Sequence, residues 1–205
     1  MPITRLSRQL LAAATVAFAL AGCATSTANL STTSVGAYRD TIDLNGSIAV
    51  SYQKDDGQPE RLIGRYTWAQ RPGRVDVALS SSLGTTLAEI SVTPESATLT
   101  QANRAPRTAK DIDTLTQQTL GWSLPVGGLR DWLQGYATDA EGKRFAASPA
   151  NNNVFTRDGW RLRFAEWQDK PGPNGAPLPK TIKAERGATA NSGELSISIS
   201  VQPES

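Results

Sequence analysis

Apolar residues recur at every second position in several separate windows of this 205-residue chain, the signature of strands that bury one face. Leu44, Ile48, Val50 and Tyr52 form the first set, with Gly46 completing the face. Leu62, Gly64, Tyr66 and Trp68 form the second, and Val75, Val77 and Leu79 the third. Asp55-Asp56-Gly57 and Arg71-Pro72-Gly73 supply turn chemistry between them, which predicts three consecutive antiparallel strands joined by hairpins. Ala88, Ile90 and Val92 continue the pattern, as do Ala97 and Leu99. Trp160, Leu162 and Phe164 alternate with Arg161 and Arg163 after an Asp158-Gly159 turn. Alternation is cleanest in Leu195, Ile197, Ile199 and Val201, which are interleaved with serines.

One region has a different period. Ile112, Leu115, Thr119 and Leu120 fall at helical spacing, with Thr108 and Asp111 as a capping-box-like pair before them and Gly121 as a stop. Val126, Leu129, Trp132, Leu133 and Tyr136 repeat that spacing after Pro125, and Gly135 is placed to end the helix. Pro and Gly crowd Lys170 to Pro179, a loop between the late strands. The expectation is a mainly β domain of about 165 residues with a small helical part. Helices that simply cover the apolar face of a sheet would satisfy this pattern. The tryptophans Trp68, Trp122, Trp132, Trp160 and Trp167 suit an ordinary core and a greasy cavity equally well.

The N-terminus changes the picture. Met1 to Arg8 carries Arg5 and Arg8 and no acid, and Leu10 to Leu20 is almost wholly apolar or alanine, the layout of a secretory signal over residues 1–22. That apolar stretch has roughly half of the ~20 residues a spanning helix needs. Leu20-Ala21-Gly22-Cys23 resembles the lipobox of bacterial lipoproteins at all four positions, which implies cleavage before Cys23, diacylglycerol on its sulfur and acylation of the new amino group. Cys23 is the only cysteine, so it has no internal disulfide partner; the bland alternative is an unmodified thiol in an incidental segment. Three acyl chains, at about 0.8 kcal/mol per buried methylene, exceed what stable anchoring requires. Ala24-Thr25-Ser26 follows, in place of the aspartate that favours inner-membrane retention in Gram-negative lipoproteins, so delivery to the outer membrane is expected. Thr25 to Ser34 is rich in Ser, Thr, Ala and Asn and reads as a flexible tether within residues 23–37, with folding beginning near Tyr38 and the domain occupying 38–205.

Charge and chemistry exclude more than they suggest. The formal net charge is +2, and Arg5 and Arg8 of the signal account for it, leaving the mature chain with equal numbers of basic and acidic residues. Without a basic block no nucleic-acid partner is expected, although Arg104, Arg107 and Lys110 leave a local patch open. There is no histidine, the commonest general base and zinc ligand. No Gly-x-Ser-x-Gly elbow, phosphate loop or metal-spaced cluster occurs. Asp111 with Asp113, or Glu166 with Asp169, has acid–base spacing, but such spacings arise freely on a solvated surface. Ser80, Ser81 and Ser82 have no nearby base and read as turn residues. Neither an enzyme, a metal nor a cofactor is expected.

The order of short signatures resembles the LolB family of outer-membrane lipoprotein receptors. They run Leu44-Asn45-Gly46-Ser47-Ile48-Ala49-Val50, Gly64-Arg65-Tyr66-Thr67-Trp68-Ala69-Gln70, Ser82-Leu83-Gly84, Leu120-Gly121-Trp122-Ser123-Leu124-Pro125-Val126, Leu129-Arg130-Asp131-Trp132-Leu133-Gln134-Gly135 and Asp158-Gly159-Trp160. The resemblance covers the chain from about Tyr38 to its end. Two departures stand out: the family usually has a proline where Ser82 stands, and its last strand commonly closes with a tryptophan that is missing here.

The resemblance implies an unclosed antiparallel β-barrel with short helices capping an apolar cavity. It implies a protein that takes lipoproteins from a LolA-like periplasmic carrier by binding their acyl chains, then inserts them among outer-membrane phospholipids. A monomer is expected. Tyr66, Trp68, Leu79, Ile90, Leu129, Trp132, Leu133 and Trp160 are the inward positions expected to touch acyl chains, though each is also what ordinary core would use. Leu83, between Ser80-Ser81-Ser82 and Gly84-Thr85-Thr86, matches the family's protruding leucine and is expected to contact the membrane; a scattered exposed leucine is the plain alternative. Two competing classes keep the same anchor. A structural or assembly lipoprotein would bind a protein through a sheet edge or apolar patch and show a filled core, and a cell-wall enzyme would need a polar cleft with converged acids.

Overall fold

The computed structural model describes residues 30–54, 57–110, 112–188 and 193–202. The expected signal, Cys23, the Asp55-Asp56 pair of the first turn and Asp111 lie outside the described residues. Every alternating window is a strand: β1 (Ile42–Gln53), β2 (Pro59–Arg71), β3 (Arg74–Ser81), β4 (Thr86–Val92), β5 (Ala97–Thr100), β10 (Arg161–Trp167) and β12 (Leu195–Val201). Short strands β6 (Arg107–Ala109), β7 (Tyr136–Thr138), β8 (Arg144–Ala146) and β9 (Asn153–Phe155), together with β11 (Pro179–Arg186), complete the set. The helices are α1 (Ile112–Leu120) and α2 (Val126–Trp132).

Ten strands make one antiparallel sheet in the order β6-β5-β4-β3-β2-β1-β12-β11-β10-β9. The first and last long strands pair at its centre, with Gly46 opposite Val201 and Tyr52 opposite Leu195. Its two edges, β6 and β9, are not joined, so the barrel is unclosed, as expected. The chain crosses from one edge to the other through α1, α2 and the small β7–β8 ribbon. That insertion covers the concave face: Leu115, Val126, Leu129, Trp132 and Leu133 share one buried cluster with Leu44, Tyr66, Trp68, Leu79, Ile90 and Ile199 of the sheet. Among the described residues, the buried apolar side chains lie between Val35 and Val201.

Local expectations fail where tertiary contacts take over. Thr108 is not a helix cap; it lies in β6 opposite Thr98, with the two hydroxyls 3.3 Å apart, because the edge of the sheet recruits the backbone first. Ser80 and Ser81 belong to β3, opposite Arg65 and Gly64, and only Ser82 is in the turn. Tyr136 lies in β7 rather than on the second helix, beyond Gly135, whose φ of +83° ends the turn. The segment read as tether is held from Ser31 onward: Val35 N–H donates to Ala147 O at 2.9 Å, Ser31 O accepts from Ala150 N–H at 3.0 Å, and the Tyr136 hydroxyl donates to Gly36 O. Composition alone does not register such pairing, because polar residues join a ribbon through their backbone.

Gly46 carries the central pairing. A Cβ at this position would stand 1.8 Å from Ser200 O and 3.0 Å from Tyr66 Cε1, and the first contact is with backbone that has no room to yield. Gly46→Ala is therefore expected to lower stability by about 3 kcal/mol or more, the upper end of overpacking costs. Urea unfolding followed by tryptophan fluorescence measures it; an unshifted midpoint would contradict the packing described.

Candidate functional site

Cross-strand register builds the concave face in rows. One row runs Ala88, Leu79, Tyr66, Gly46, Val201, and the next runs Ile90, Val77, Trp68, Leu44. Opposite these rows lies α2. Between them is a void lined by Ile48, Tyr66, Trp68, Val77, Leu79, Leu124, Leu129, Leu133 and Ile199. Five of the eight expected cavity residues line it: Tyr66, Trp68, Leu79, Leu129 and Leu133. The other three, Ile90, Trp132 and Trp160, are buried in the core but away from the void. Ile48, Val77 and Ile199 were legible as the same alternating faces, whereas Leu124 sits between the helices where no period points to it.

The void measures only about 10 Å³, against the roughly 300–1,000 Å³ of sites that enclose a ligand. The expected hollow is thus closed in this conformation. The physical reason is that an apolar lid and an apolar sheet gain about 25 cal/mol for every Å² they hide from water, so they settle onto each other. By core filling alone, the interior resembles that expected of an assembly lipoprotein. The large apolar side chains exposed among the described residues, Leu30, Ile63, Leu83 and Phe155, lie on four different segments.

Trp132 and Trp160 meet edge to face, with centroids 5.4 Å apart and planes at 65°. The Trp132 indole folds back over Gly128, one turn earlier on α2, where a Cβ would stand 2.4 Å from the ring. The Arg186 guanidinium lies over the Trp160 ring, 4.6 Å from its centroid. Thr116 ties the two helices together: its hydroxyl donates to Ile112 O at 2.9 Å and accepts from Leu124 N–H at 2.9 Å.

The interior approaches the surface at Leu133, which lines both the void and an outer cleft of about 300 Å³. Ile42, Leu44, Ala176, Leu178, Pro179 and Val201 form the apolar walls of this cleft. Polar side chains frame it. Gln70, fully buried, donates to the Tyr38 hydroxyl at 2.9 Å and to Arg39 O at 3.3 Å, and accepts from Trp68 Nε1 at 3.3 Å. Gln134 clamps the same Arg39 backbone from α2's side, accepting from its N–H at 2.8 Å and donating to its carbonyl at 3.0 Å. Burial raises the Asp131 carboxyl on α2 above its usual range, opposed by Arg144 and Arg130.

Leu83 stands apart from all of this. It is 96% exposed at the tip of the β3–β4 hairpin. The tip is well braced: Gly84 N–H donates to Ser81 O at 2.9 Å, Ser81 N–H to Thr85 O at 2.8 Å, and Gly84 adopts a φ of +88°.

Of the buried side-chain polar atoms without a hydrogen-bond partner among the described residues, which include Trp122 Nε1 and Ser123 Oγ, the Tyr66 hydroxyl is the one that lines the void. The Tyr66 ring is 5% exposed and its hydroxyl has no hydrogen-bond partner, a burial that costs about 1–3 kcal/mol. Desolvation pushes the phenol pKa well above its ordinary range. The folded state therefore keeps a proton that the unfolded state loses, so stability is fully present below the unfolded pKa of about 10 and declines as pH rises above it. Paired urea titrations at about pH 8 and about pH 11 should show a smaller alkaline loss in Tyr66→Phe than in wild type, by up to about 1.4 kcal/mol. Equal losses would place the hydroxyl in water.

Comparison with known proteins adds what geometry leaves open. The family described as outer membrane lipoprotein LolB matches residues 40–202. A protein of Cupriavidus taiwanensis named outer-membrane lipoprotein LolB is 35% identical over 156 residues, covering 76% of this chain and 75% of its own. Its namesake in Cupriavidus metallidurans is 39% identical over 153 residues (72% and 73%), and that of Bordetella petrii is 32% identical over 169 residues (82% of each). Among solved structures, a LolA superfamily protein from Nitrosomonas europaea superposes with a TM-score of 0.45 at 9% identity, covering 81% of this chain and 86% of that one, too loose a likeness to bear on function.

Proposed function

The chain belongs to the LolB family of outer-membrane lipoproteins, and on that premise we propose that it receives lipoproteins from a LolA-like periplasmic carrier and inserts them into the outer membrane. Its acyl-chain site is the interface between α2 and the concave sheet. The observation that carries this reading is an all but polar-free seam between α2 and the sheet that meets a surface cleft at Leu133. A lipoprotein in transit exposes hydrocarbon to water, and each methylene buried recovers about 0.8 kcal/mol. An incoming chain takes the contacts that α2 makes with the sheet in the closed form, so opening exchanges one apolar surface for another.

Transfer then needs only a gradient of affinity from carrier to receptor to bilayer. No covalent step enters, and the protein acts as a trafficking factor rather than an enzyme. Acyl chains on Cys23 hold the monomer at the outer membrane with its domain in the periplasm. Leu83, on a braced tip with no burial to lose, enters the phospholipid interface and brings the cargo's chains to the bilayer.

The test is transfer of a radiolabelled lipoprotein from its soluble carrier to the Cys23-acylated protein in liposomes. Wild type is expected to accept and insert cargo. Leu83→Glu, at an exposed position where substitutions typically change stability by less than about 0.5 kcal/mol, should accept cargo and fail to insert it. If wild type takes no acyl chain from the carrier, the receptor reading falls and an assembly lipoprotein becomes the better account. A Leu83→Glu protein that inserts normally would remove the tip from the mechanism and leave acceptance intact.

A further inference from the structure

Tyr66 occupies a place where phenylalanine would pack equally well and leave no orphaned hydroxyl. Its oxygen is buried and unpartnered in a void whose other lining side chains are apolar, and the indole N–H of Trp68 is already committed to Gln70 at 3.3 Å. A water there would find one polar partner where buried waters take about three. The hydroxyl therefore has a use only when something else brings an acceptor into the seam.

Register says where that acceptor sits. Tyr66 pairs with Gly46, and Gly46 with Val201, which is a wall of the outer cleft. The phenol ring lies over Gly46, its Cε1 3.0 Å from where a Cβ would be. Only one position without a side chain separates Tyr66 from the cleft. Each acyl chain of a lipidated cysteine carries a single carbonyl, ester or amide, at the end next to its head. A chain entering tail first through the cleft leaves that carbonyl last, near the entrance.

We propose that the Tyr66 hydroxyl donates a hydrogen bond to the carbonyl of the bound acyl chain, so that it recognises acyl rather than plain alkyl groups and sets how far the chain enters. This deepens the acyl-chain reading above and rests on it. Burial keeps the phenol protonated throughout the neutral range, so the donor is always present. The hydroxyl positions the cargo; it performs no chemistry on it.

Chain 24–205, which retains every buried apolar residue among those described, is titrated with diphenylhexatriene, a hydrocarbon probe, and the probe is displaced with methyl palmitate or with the n-alkane of matching heavy-atom count. The ratio of ester to alkane affinity should be about tenfold higher in wild type than in Tyr66→Phe, the worth of one buried hydrogen bond. That difference should come from lost ester affinity alone, with alkane affinity the same in both proteins, and Tyr66→Phe should melt no lower than wild type because it removes an unpaired group. The infrared carbonyl stretch of carbonyl-labelled ester should lie lower in wild type than in Tyr66→Phe. If the ester-to-alkane ratio is the same in wild type and Tyr66→Phe, the role of Tyr66 is overturned while the acyl-chain site stands. If wild type binds neither ligand, the site itself fails, and Tyr66 with it.

Discussion

A ten-stranded sheet with one apolar face has to hide that face, and everything else in this molecule follows from how it does so. The cover is a single insertion between the two sheet edges, and its helices are short, with nine residues in α1 and seven in α2. Isolated helices of that length are not stable in water, and Gly127-Gly128 weakens α2 further. The lid is therefore helical because it is packed. Its stability is the burial of Leu129, Trp132 and Leu133 against the sheet, the same kind of contact an acyl chain would make.

This equivalence gives a lipid carrier its reversibility. A hollow held open by rigid walls would leave apolar surface facing a void or water, at a cost in every cycle. A seam that closes on itself avoids that cost, and under the proposed function it would open when a chain supplies replacement contacts. What must stay put is fixed by polar bonds rather than packing. Gln70 and Gln134 clamp the Arg39 backbone beside the cleft from two sides, and backbone hydrogen bonds brace the hairpin that presents Leu83. Directional bonds hold the cleft and the tip, and non-directional contacts fill the seam.

Much of this could be read from the chain. Strict alternation from Leu44 to Tyr52 and from Leu195 to Val201 marked strands whose inner faces really are buried, and the change of period at Ile112 and Val126 marked both helices. The short strands β6 to β9 were out of reach, since three residues contain at most two positions on a face. Thr108 illustrates the limit from the other side: a sound local capping pattern loses to the hydrogen bonds of a sheet edge whose partner, β5, lies ten residues earlier in the ladder. The backbone pairing of Ser31, Val35 and Gly36, at the end of the segment read as tether, was illegible for the same reason, because its partners Ala150, Ala147 and Tyr136 lie far along the chain.

By itself, then, the sequence determined which residues face inward, that one sheet and two helices share them, and that a lone leucine stands on a polar turn. It did so because each of these is a local periodicity or a local contrast of polarity. Tertiary structure decided which inward residues meet, that Ile90, Trp132 and Trp160 lie away from the seam, and that Tyr66 faces it beside a glycine with its hydroxyl unpaired. It also decided that the hollow is closed. A void is the small difference between two packed surfaces brought together from distant parts of the chain, and no pattern within either surface encodes that difference.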